Sequence, residues 1–512
     1  MFVRLSNLSF AYADSVPIVA GASFQLAPGW TGIVGPNGNG KTTLLRLIAG
    51  ELEPSEGLVQ FDPPAASMQL CPQTVEAMTP AIEAFSAATD GVARRLHGEL
   101  RLEHADLSRW PTLSPGERKR WQVGAALYEE PAVLALDEPT DHLDAEAREL
   151  LLAGLARFRG VGIVVSHDRA LLDSLTAYTV CVADGAARIW RGPYGEAKRS
   201  WEAEERERHD EYERLKRKRE TLARRLADKR RLATAATTQI NAGSRMKFAH
   251  DHDATFKGKA GKARMASARL SADVGLLRAG VERVSEDLAG FRFRKEKGRS
   301  IFVDYVAAPV SKVLTLDVPK LSAGATPLLE DVHLAVLRQS RIRVAGPNGI
   351  GKSTLLKALL GGAHVPAARL LHLPQELTAG DGVAMLDGVR ELGGAERGRV
   401  LTLVAALGVD PVRLLESKSP SPGEARKLAL AWGLGRQVWA LVLDEPTNHL
   451  DMPAIERLED ALTEYPGALV IVTHDEQLAH RCTAEEWRLS EGRVEIRSSG
   501  QSGQAGSYRA QE

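Results

Sequence analysis

Gly35-Pro36-Asn37-Gly38-Asn39-Gly40-Lys41-Thr42-Thr43 is the stretch that decides the fold of this chain. It fits G-x-x-x-x-G-K-[ST], a loop whose glycines let successive backbone N–H groups turn inward and cradle phosphate oxygens. Lys41 brings a cation to the β- and γ-phosphates, and the Thr42 hydroxyl is a ligand for Mg²⁺. The apolar run from Thr31 to Val34 predicts a buried strand ahead of the loop. A helix opening near Thr42 adds the partial positive charge of its N-terminus. The loop occurs twice. Gly346-Pro347-Asn348-Gly349-Ile350-Gly351-Lys352-Ser353-Thr354 follows 311 residues later (352 − 41).

Bulk properties bound the class. A chain of 512 residues holds two to four domains. Its 44% hydrophobic content suits packed soluble cores. No run of about 18 apolar residues predicts a transmembrane helix, and Met1-Phe2-Val3-Arg4-Leu5 alternates like a strand instead of a secretion signal. Cys71, Cys181 and Cys482 have neither disulfide nor metal spacing, which points to a reducing cytoplasm. Net charge is zero but unevenly spread: residues 211–270 hold 17 Lys/Arg against 6 Asp/Glu, a net of +11. A segment of that sign suits a polyanion partner.

Around the first loop the chain reads as an α/β unit, residues 1–195. Leu5–Tyr12 and Ala22–Leu26 alternate as antiparallel strands, Leu58–Phe61 is a further strand, and Met68–Gln73 leads from strand to loop. The stretch from Ala81 to about Trp110 reads as helix. Leu113-Ser114-Pro115-Gly116-Glu117 breaks it, and a new helix runs from Pro115 to Tyr128 with Pro in its first turn. Ala132 to Leu136 is a short apolar run that delivers Asp137 and Glu138 to a strand's carboxyl edge, as in a buried parallel sheet. Asp141-His142-Leu143-Asp144 opens the next helix, and Val161–Val165 is a second buried strand ending at His167. The order then recurs. Gln73 matches Gln375, while Ser114 matches Ser421, Asp137-Glu138 matches Asp444-Glu445 and His167 matches His474, the last three at one offset of 307 (474 − 167). That is an internal repeat, and it makes residues 301–498 a second α/β unit.

Between the repeats, residues 196–300, the chain is charge-rich. Helical periodicity from about Tyr194 to Arg231, its loss from Thr234 to Lys262 and its return over Ala263–Leu288 predict two antiparallel helices with a basic tip around Met246-Lys247-Phe248. Helices of about 35 and 25 residues would reach roughly 40–50 Å. Arg230, Arg231, Arg245, Lys247, Lys257, Lys259 and Lys262 are the candidate RNA contacts; a solvated coiled-coil spacer is the plainer alternative. The composition after Ser499 marks residues 499–512 as a flexible tail.

The chemistry sits at the strand ends. Asp137 is placed to hold Mg²⁺ and Glu138 to orient and polarise the water that attacks the γ-phosphate. His167 reaches the same phosphate from the neighbouring strand. Gln73 senses the metal and the water, and Tyr12 is placed to stack on adenine, against the alternative of ordinary strand packing. The full set, with the Ser-Pro-Gly-Glu signatures and Asp444-Glu445-Pro446-Thr447-Asn448-His449-Leu450-Asp451, resembles an ATP-binding-cassette nucleotide domain. Two of these with a charged helical linker and no membrane domain resemble the ABC-F family of soluble, ribosome-acting ATPases.

The resemblance implies an α/β fold: two tandem ABC-type P-loop domains joined by a long antiparallel helical hairpin, binding ATP and Mg²⁺. It implies head-to-tail pairing of the halves within a monomer. Site one would use Lys41, Glu138 and His167, completed by Ser421, Gly423 and Glu424. Site two would use Lys352, Ser353, Asp444, Glu445, His474 and Gln375, completed by Ser114, Gly116 and Glu117. A Ser-x-Gly turn at a helix N-terminus presents a hydroxyl, an N–H and a dipole to the far γ-phosphate. Pro115 and Pro422 depart from the usual Gly, and Pro420 from Leu. Asp141 stands where Asn is usual, and Leu321-Ser322-Ala323-Gly324 supplies no aromatic where Tyr12 aligns. The expected partner is the ribosome, its rRNA and the exit-site tRNA. Only 40 residues separate Gln73 from Leu113 (113 − 73), too few for an added arm, and no coiled coil follows His474. These features favour an antibiotic-resistance type over a general translation factor. The competing functions are the ATPase subunit of an exporter and a nucleic-acid-repair ATPase.

Overall fold

The computed structural model describes residues 1–12, 17–141, 143–245, 254–291, 302, 305–324, 326–490 and 492–498, with side chains undescribed over 236–264 and at 379. The first repeat opens with β1 (Phe2–Phe10) and β2 (Val19–Leu26), which pair antiparallel. Phe2, Arg4 and Ser6 alternate with Val3 and Leu5, so one face of β1 enters the core. β3 (Gly29–Val34) runs into the phosphate loop and α1 (Lys41–Ile48). β4 (Glu56–Asp62) returns to pair with β1, and β5 (Met68–Cys71) follows.

The long helix expected over Ala81–Trp110 is interrupted. It forms α2 (Pro80–Ala87), α3 (Gly91–Leu100) and a 3₁₀ segment (His104–Thr112). Local chemistry explains the breaks: Thr79 and Asp90 accept from the first turns of α2 and α3, and Arg101 closes α3 in a left-handed conformation. Next come α4 (Pro115–Tyr128), β6 (Val133–Asp137), α5 (Ala145–Leu155), β7 (Val161–Val165), α6 (Arg169–Leu175), β8 (Thr176–Ala183) and β9 (Ala186–Arg191). The sheet order is β5-β6-β7-β3-β8-β9, parallel except for the edge strand β9. Parallel pairing brings the ends of β3, β6 and β7, and so the phosphate loop, the acids and His167, to one edge.

The linker helices are α7 (Tyr194–Arg245) and α8 (Ala254–Ala289), longer than the sequence suggests. The Ala/Thr-rich stretch after Leu232 stays helical; the Thr234 hydroxyl donates back to the Arg230 carbonyl at 2.9 Å instead of disrupting the ladder. Tyr212 meets Phe291, Leu222 meets Gly280 and Lys229 pairs with Asp273 at 2.8 Å, so the two helices run antiparallel. Residues 198–297 form one unit; residues 1–197 and 298–512 form the other. Arg230 and Arg231 lie on α7. Lys247 and the tip Met246-Lys247-Phe248 lie outside the described residues, as do the side chains of Arg245, Lys257, Lys259 and Lys262 and the tail 499–512.

The second repeat begins with the hairpin β10 (Lys312–Ala323) and β11 (Thr326–Leu337). β12 (Arg341–Ala345), α9 (Lys352–Gly361), β13 (Leu370–Leu373), α10 (Ala379–Glu391), α11 (Gly394–Ala406) and α12 (Pro411–Glu416) follow. α13 (Pro422–Gly435), β14 (Ala440–Asp444), α14 (Met452–Glu464), β15 (Ala468–Val472), α15 (Glu476–Cys482), β16 (Glu485–Ser490) and β17 (Arg493–Ser498) complete it. Its sheet, β13-β14-β15-β12-β16-β17, repeats the first in order and sense. β6, β7, β14 and β15 are buried at every residue, which is why their sequences are unbroken apolar runs.

Candidate active site at the paired phosphate loops

Each phosphate loop is held by close packing at its glycines. Gly35 has φ 148°, and a Cβ there would come 2.1 Å from the Val182 carbonyl oxygen. Gly40 caps α1 at φ 90° with Ile18 seated directly over it. Gly346 and Gly351 repeat these values at φ 149° and 105°. Only glycine satisfies both demands at once. Lys41 is buried, and its Nζ donates to the carbonyls of Gly35 and Pro36 at 2.9 and 3.2 Å and to Asn37 Oδ1. Lys352 does the same with Gly346, Pro347 and Asn348. Burial lowers both ammonium pKa values, so each lysine is a cation short of solvation and poised for an anionic ligand.

The Thr42 hydroxyl donates to Asp137 Oδ2 at 2.8 Å, and Ser353 to Asp444 Oδ2 at 2.5 Å. Glu138 and Glu445 come next, buried, each in the left-handed backbone region at φ 44° and 46°. That conformation is strained for a residue with a side chain. Its occurrence at both acids, each amide bonded to the neighbouring strand (Val165 and Val472 carbonyls, 2.9 Å), marks a demand on carboxylate direction. Glu138 Oε2 accepts from the His167 amide at 3.0 Å, and Oε1 lies 3.0 Å from His167 Nε2 without a hydrogen bond. Glu445 and His474 repeat the arrangement, again with Oε1 unsatisfied. Buried carboxylate oxygens without donors fit a missing polar ligand. Burial, with Asp141 beside it, raises the Glu138 pKa well above the carboxylate range. Burial lifts Glu445 to about 7, Lys352 opposing.

Burial and the Lys41 charge pull His167 down to about 3; burial and Lys352 pull His474 to about 4. Both imidazoles are therefore neutral at pH 7. An unfolded histidine titrates near about 6.5, so below that pH the unfolded chain binds protons that the native state refuses. Stability falls as pH drops from the unfolded value toward the two folded values, at up to about 1.4 kcal/mol per pH unit per histidine. Glu138 and Glu445, with raised pKa values, gain stability over the same window and oppose this, so the histidine contribution is read as a difference: between pH 6.5 and 5 the melting temperature of a His167→Gln, His474→Gln variant is expected to rise relative to that of the parent chain. An unchanged slope would assign the acid sensitivity to other groups.

The two halves face each other around one cavity of about 1270 Å³. From the first half it is lined by Tyr12, Asn37, Gly38, Gly40 to Thr43, Gln73, Ser114, Asp137, Glu138 and His167; from the second by Asn348, Gly349, Gly351 to Thr354, Gln375, Ser421, Gly423, Asp444, Glu445 and His474. Gly35, Pro36, Asn39, Gly116, Glu117, Gly346, Pro347, Ile350 and Glu424 are not among its lining. The Ser114 hydroxyl is not simply offered to the opposite site. It closes a capping box with Glu117, donating to Oε2 at 2.8 Å and accepting from the Glu117 amide, and Ser421 does the same with Glu424. The signature glutamates therefore brace the serines. Gln73 donates to Asp141 Oδ2 at 2.9 Å, which ties the acid at this position to the glutamine loop.

Several residues at this site escaped the sequence reading. Asp451 Oδ2 accepts from the Asn37 amide at 2.8 Å, so the second half touches the first half's phosphate loop directly. Arg148 donates to the His474 carbonyl at 3.2 Å in the reverse sense. Lys119 and Arg426, an offset of 307 apart, are buried on α4 and α13. Lys119 donates to the Pro72, Gln73 and Asp137 carbonyls, Arg426 to those of Pro374, Gln375, Asp444 and Glu445. Each ties its glutamine loop to its acid-bearing strand. The only signal was the offset itself.

Comparison with known proteins agrees with this geometry. The ABC transporter family model matches residues 19–141 and 329–448. The chain is 31% identical to the tylosin resistance ATP-binding protein TlrC of Streptomyces fradiae, across 96% of this chain and 98% of that protein. It is 28% identical to the ribosome protection protein VmlR of Bacillus subtilis (strain 168), across 96% and 87%. Among solved structures, an RNase-L Inhibitor shares the fold at TM-score 0.59 and 18% identity, covering 96% of this chain and 90% of that one.

Proposed function

Since this chain belongs to the ABC-F family and is an ATPase with two ATP-binding domains, we propose that its ATP-driven closure positions a basic helical linker on the ribosome. The first cassette is residues 1–195, the linker 196–300 and the second cassette 301–498. There the protein modulates translation or displaces a ribosome-targeting antibiotic, in the cytoplasm. The net +11 over residues 211–270, carried on a helical pair between two cassettes, is the observation that supports a nucleic-acid partner. Relatives named for tylosin resistance and ribosome protection, matched over nearly their whole length, supply the class of target. Among the described residues no helix is long and apolar enough to cross a membrane.

The donor set fits Mg²⁺: a hydroxyl and a carboxylate stand in hydrogen-bond contact at each strand end, and hard oxygen ligands suit that ion. Thr42 with Asp137, and Ser353 with Asp444, would hold it, with Gln73 and Gln375 nearby. Held there, the ion would supply positive charge to offset that of the phosphate oxygens. Lys41 and Lys352 bind the triphosphate. Glu138 and Glu445 orient the attacking water and draw its proton, His167 and His474 hold the γ-phosphate as neutral donors, and the braced Ser114 and Ser421 turns complete the opposite site.

The test is co-sedimentation. A Glu138→Gln, Glu445→Gln variant with ATP is expected to pellet with 70S ribosomes and exclude exit-site tRNA. Adding Arg230→Glu and Arg231→Glu is expected to weaken pelleting and its dependence on salt. A variant that binds ATP yet stays in the supernatant removes the ribosome from the reading and brings the exporter and DNA-repair alternatives forward.

A further inference from the structure

We propose that the second site recognises the triphosphate of its nucleotide and not the base, while the first site adds a stacking contact to the base through Tyr12. The second site then takes any nucleoside triphosphate, and inorganic triphosphate itself. The proposal rests on the ATP-site reading above and divides it between the two sites.

The two hairpins that frame the phosphate loops differ at one place. In the first repeat the β1–β2 ladder ends at Phe10–Val19. The chain leaves it there, and Tyr12 turns toward α1, its hydroxyl 3.3 Å from Thr43 Oγ1 and its ring edge-on to Phe10 at 4.9 Å. Tyr12 is 62% exposed and lines the cavity, so it offers an open ring face beside the phosphate loop.

In the second repeat, Leu321–Leu329 is the counterpart of Phe10–Val19, because Leu328 sits over Gly351 as Ile18 sits over Gly40. The ladder continues through Ser322–Pro327 and Ala323–Thr326. Ala323, in Tyr12's place, is therefore held in the hairpin. No Phe, Tyr or Trp occurs from Lys312 to Gly346. Among the described residues, the second repeat's lining of the cavity starts at Asn348, with nothing from β10 or β11. The phosphate side is nevertheless complete, with Gly349, Gly351, Lys352 and Ser353 in the cavity wall. A grip on phosphates needs only those groups. A base stacked on an aromatic ring adds a contribution equivalent to about 5- to 150-fold in affinity, and among the described residues lining the cavity only Tyr12, in the first repeat, provides a Phe, Tyr or Trp ring.

The experiment uses the full chain carrying Glu138→Gln and Glu445→Gln, which leaves both phosphate loops intact. Labelled ATP is bound to saturation and displaced with inorganic triphosphate, which has no base to stack. The expected curve has two equal steps, half the label leaving at about 5- to 150-fold lower competitor than the rest. Tyr12→Ala on the same chain is expected to merge the two steps at the lower concentration. A single step that Tyr12→Ala does not move overturns the proposal, as do two steps that survive that substitution. If labelled ATP does not bind at all, the ATP-site reading falls, and the proposal with it.

Discussion

Replacing both strand-end glutamates, Glu138→Gln and Glu445→Gln, is expected to lower ATP turnover by about 10²–10⁴-fold, the usual contribution of a positioned general base, and to leave ATP binding in place. Both side chains are buried, both sit at left-handed backbone positions, and both leave Oε1 without a donor. Glutamine keeps the shape and the bond from the following histidine's amide but cannot take a proton. Glu445 titrates near about 7, whereas Asp141 adds to burial in lifting Glu138 well above the carboxylate range. Burial thus raises both carboxyls, and each single variant is expected to lower turnover by removing the base of one site. Steady-state phosphate release, with nucleotide binding measured separately, decides the matter. Near-normal turnover in the double variant would remove these two residues from the chemistry.

The cassettes were legible because their elements are over-determined locally. β6 and β7 are unbroken apolar runs ending in charged residues, and α4 announces itself with Ser114, Pro115 and Glu117, a cap, a first-turn proline and the acid of a capping box. The offset of 307 carried each assignment into the second half. Long helices were harder. Ala81–Trp110 has helical composition throughout, and the breaks depend on where Asp90 and Arg101 terminate turns. In the linker the reverse occurred: Thr and Ala after Leu232 read as loss of pattern, but Ala is the best helix former and Thr234 bonds back to its own turn, so the helix continues. Contacts across the interface, such as Asp451 on Asn37, had no local signature, since 414 residues separate the partners. Glu117 and Glu424 carry a further role for a related reason. A signature acid looks like a ligand group in sequence, and only the hydrogen bonds show it bracing its own serine.

Glu459→Leu is expected to destabilise the pairing of the two cassettes by about 3–5 kcal/mol, the usual cost of breaking a buried ion pair from one side. Glu459 is 1% exposed on α14. Its Oε2 accepts from Arg169 of α6 at 2.7 Å, and its Oε1 from Arg481 at 2.9 Å. Arg169, itself 8% exposed, also reaches Asp475 at 3.3 Å and Gln477 at 2.9 Å. The contact has no twin: at the offset of 307, Leu152 stands for Glu459 and Glu476 for Arg169. Arg481 is half exposed and retains Asp460, so it recovers in water when Glu459 is removed, whereas Arg169 is left buried with weaker partners. Arg169→Met is therefore expected to cost less than Glu459→Leu, because Glu459 keeps Arg481. The double variant Arg169→Met, Glu459→Leu is expected to recover much of the loss, since two apolar side chains replace two buried charges. The readout is the first transition in chemical denaturation, followed separately from the second because paired domains need not unfold in one step. Equal costs for the two single variants, or a double variant at their sum, would show that Arg169 and Glu459 do not act as a pair. An uncoupled result would shift weight to the other contacts between the halves, among them Asn37–Asp451, Arg148–His474 and Tyr194–Glu456.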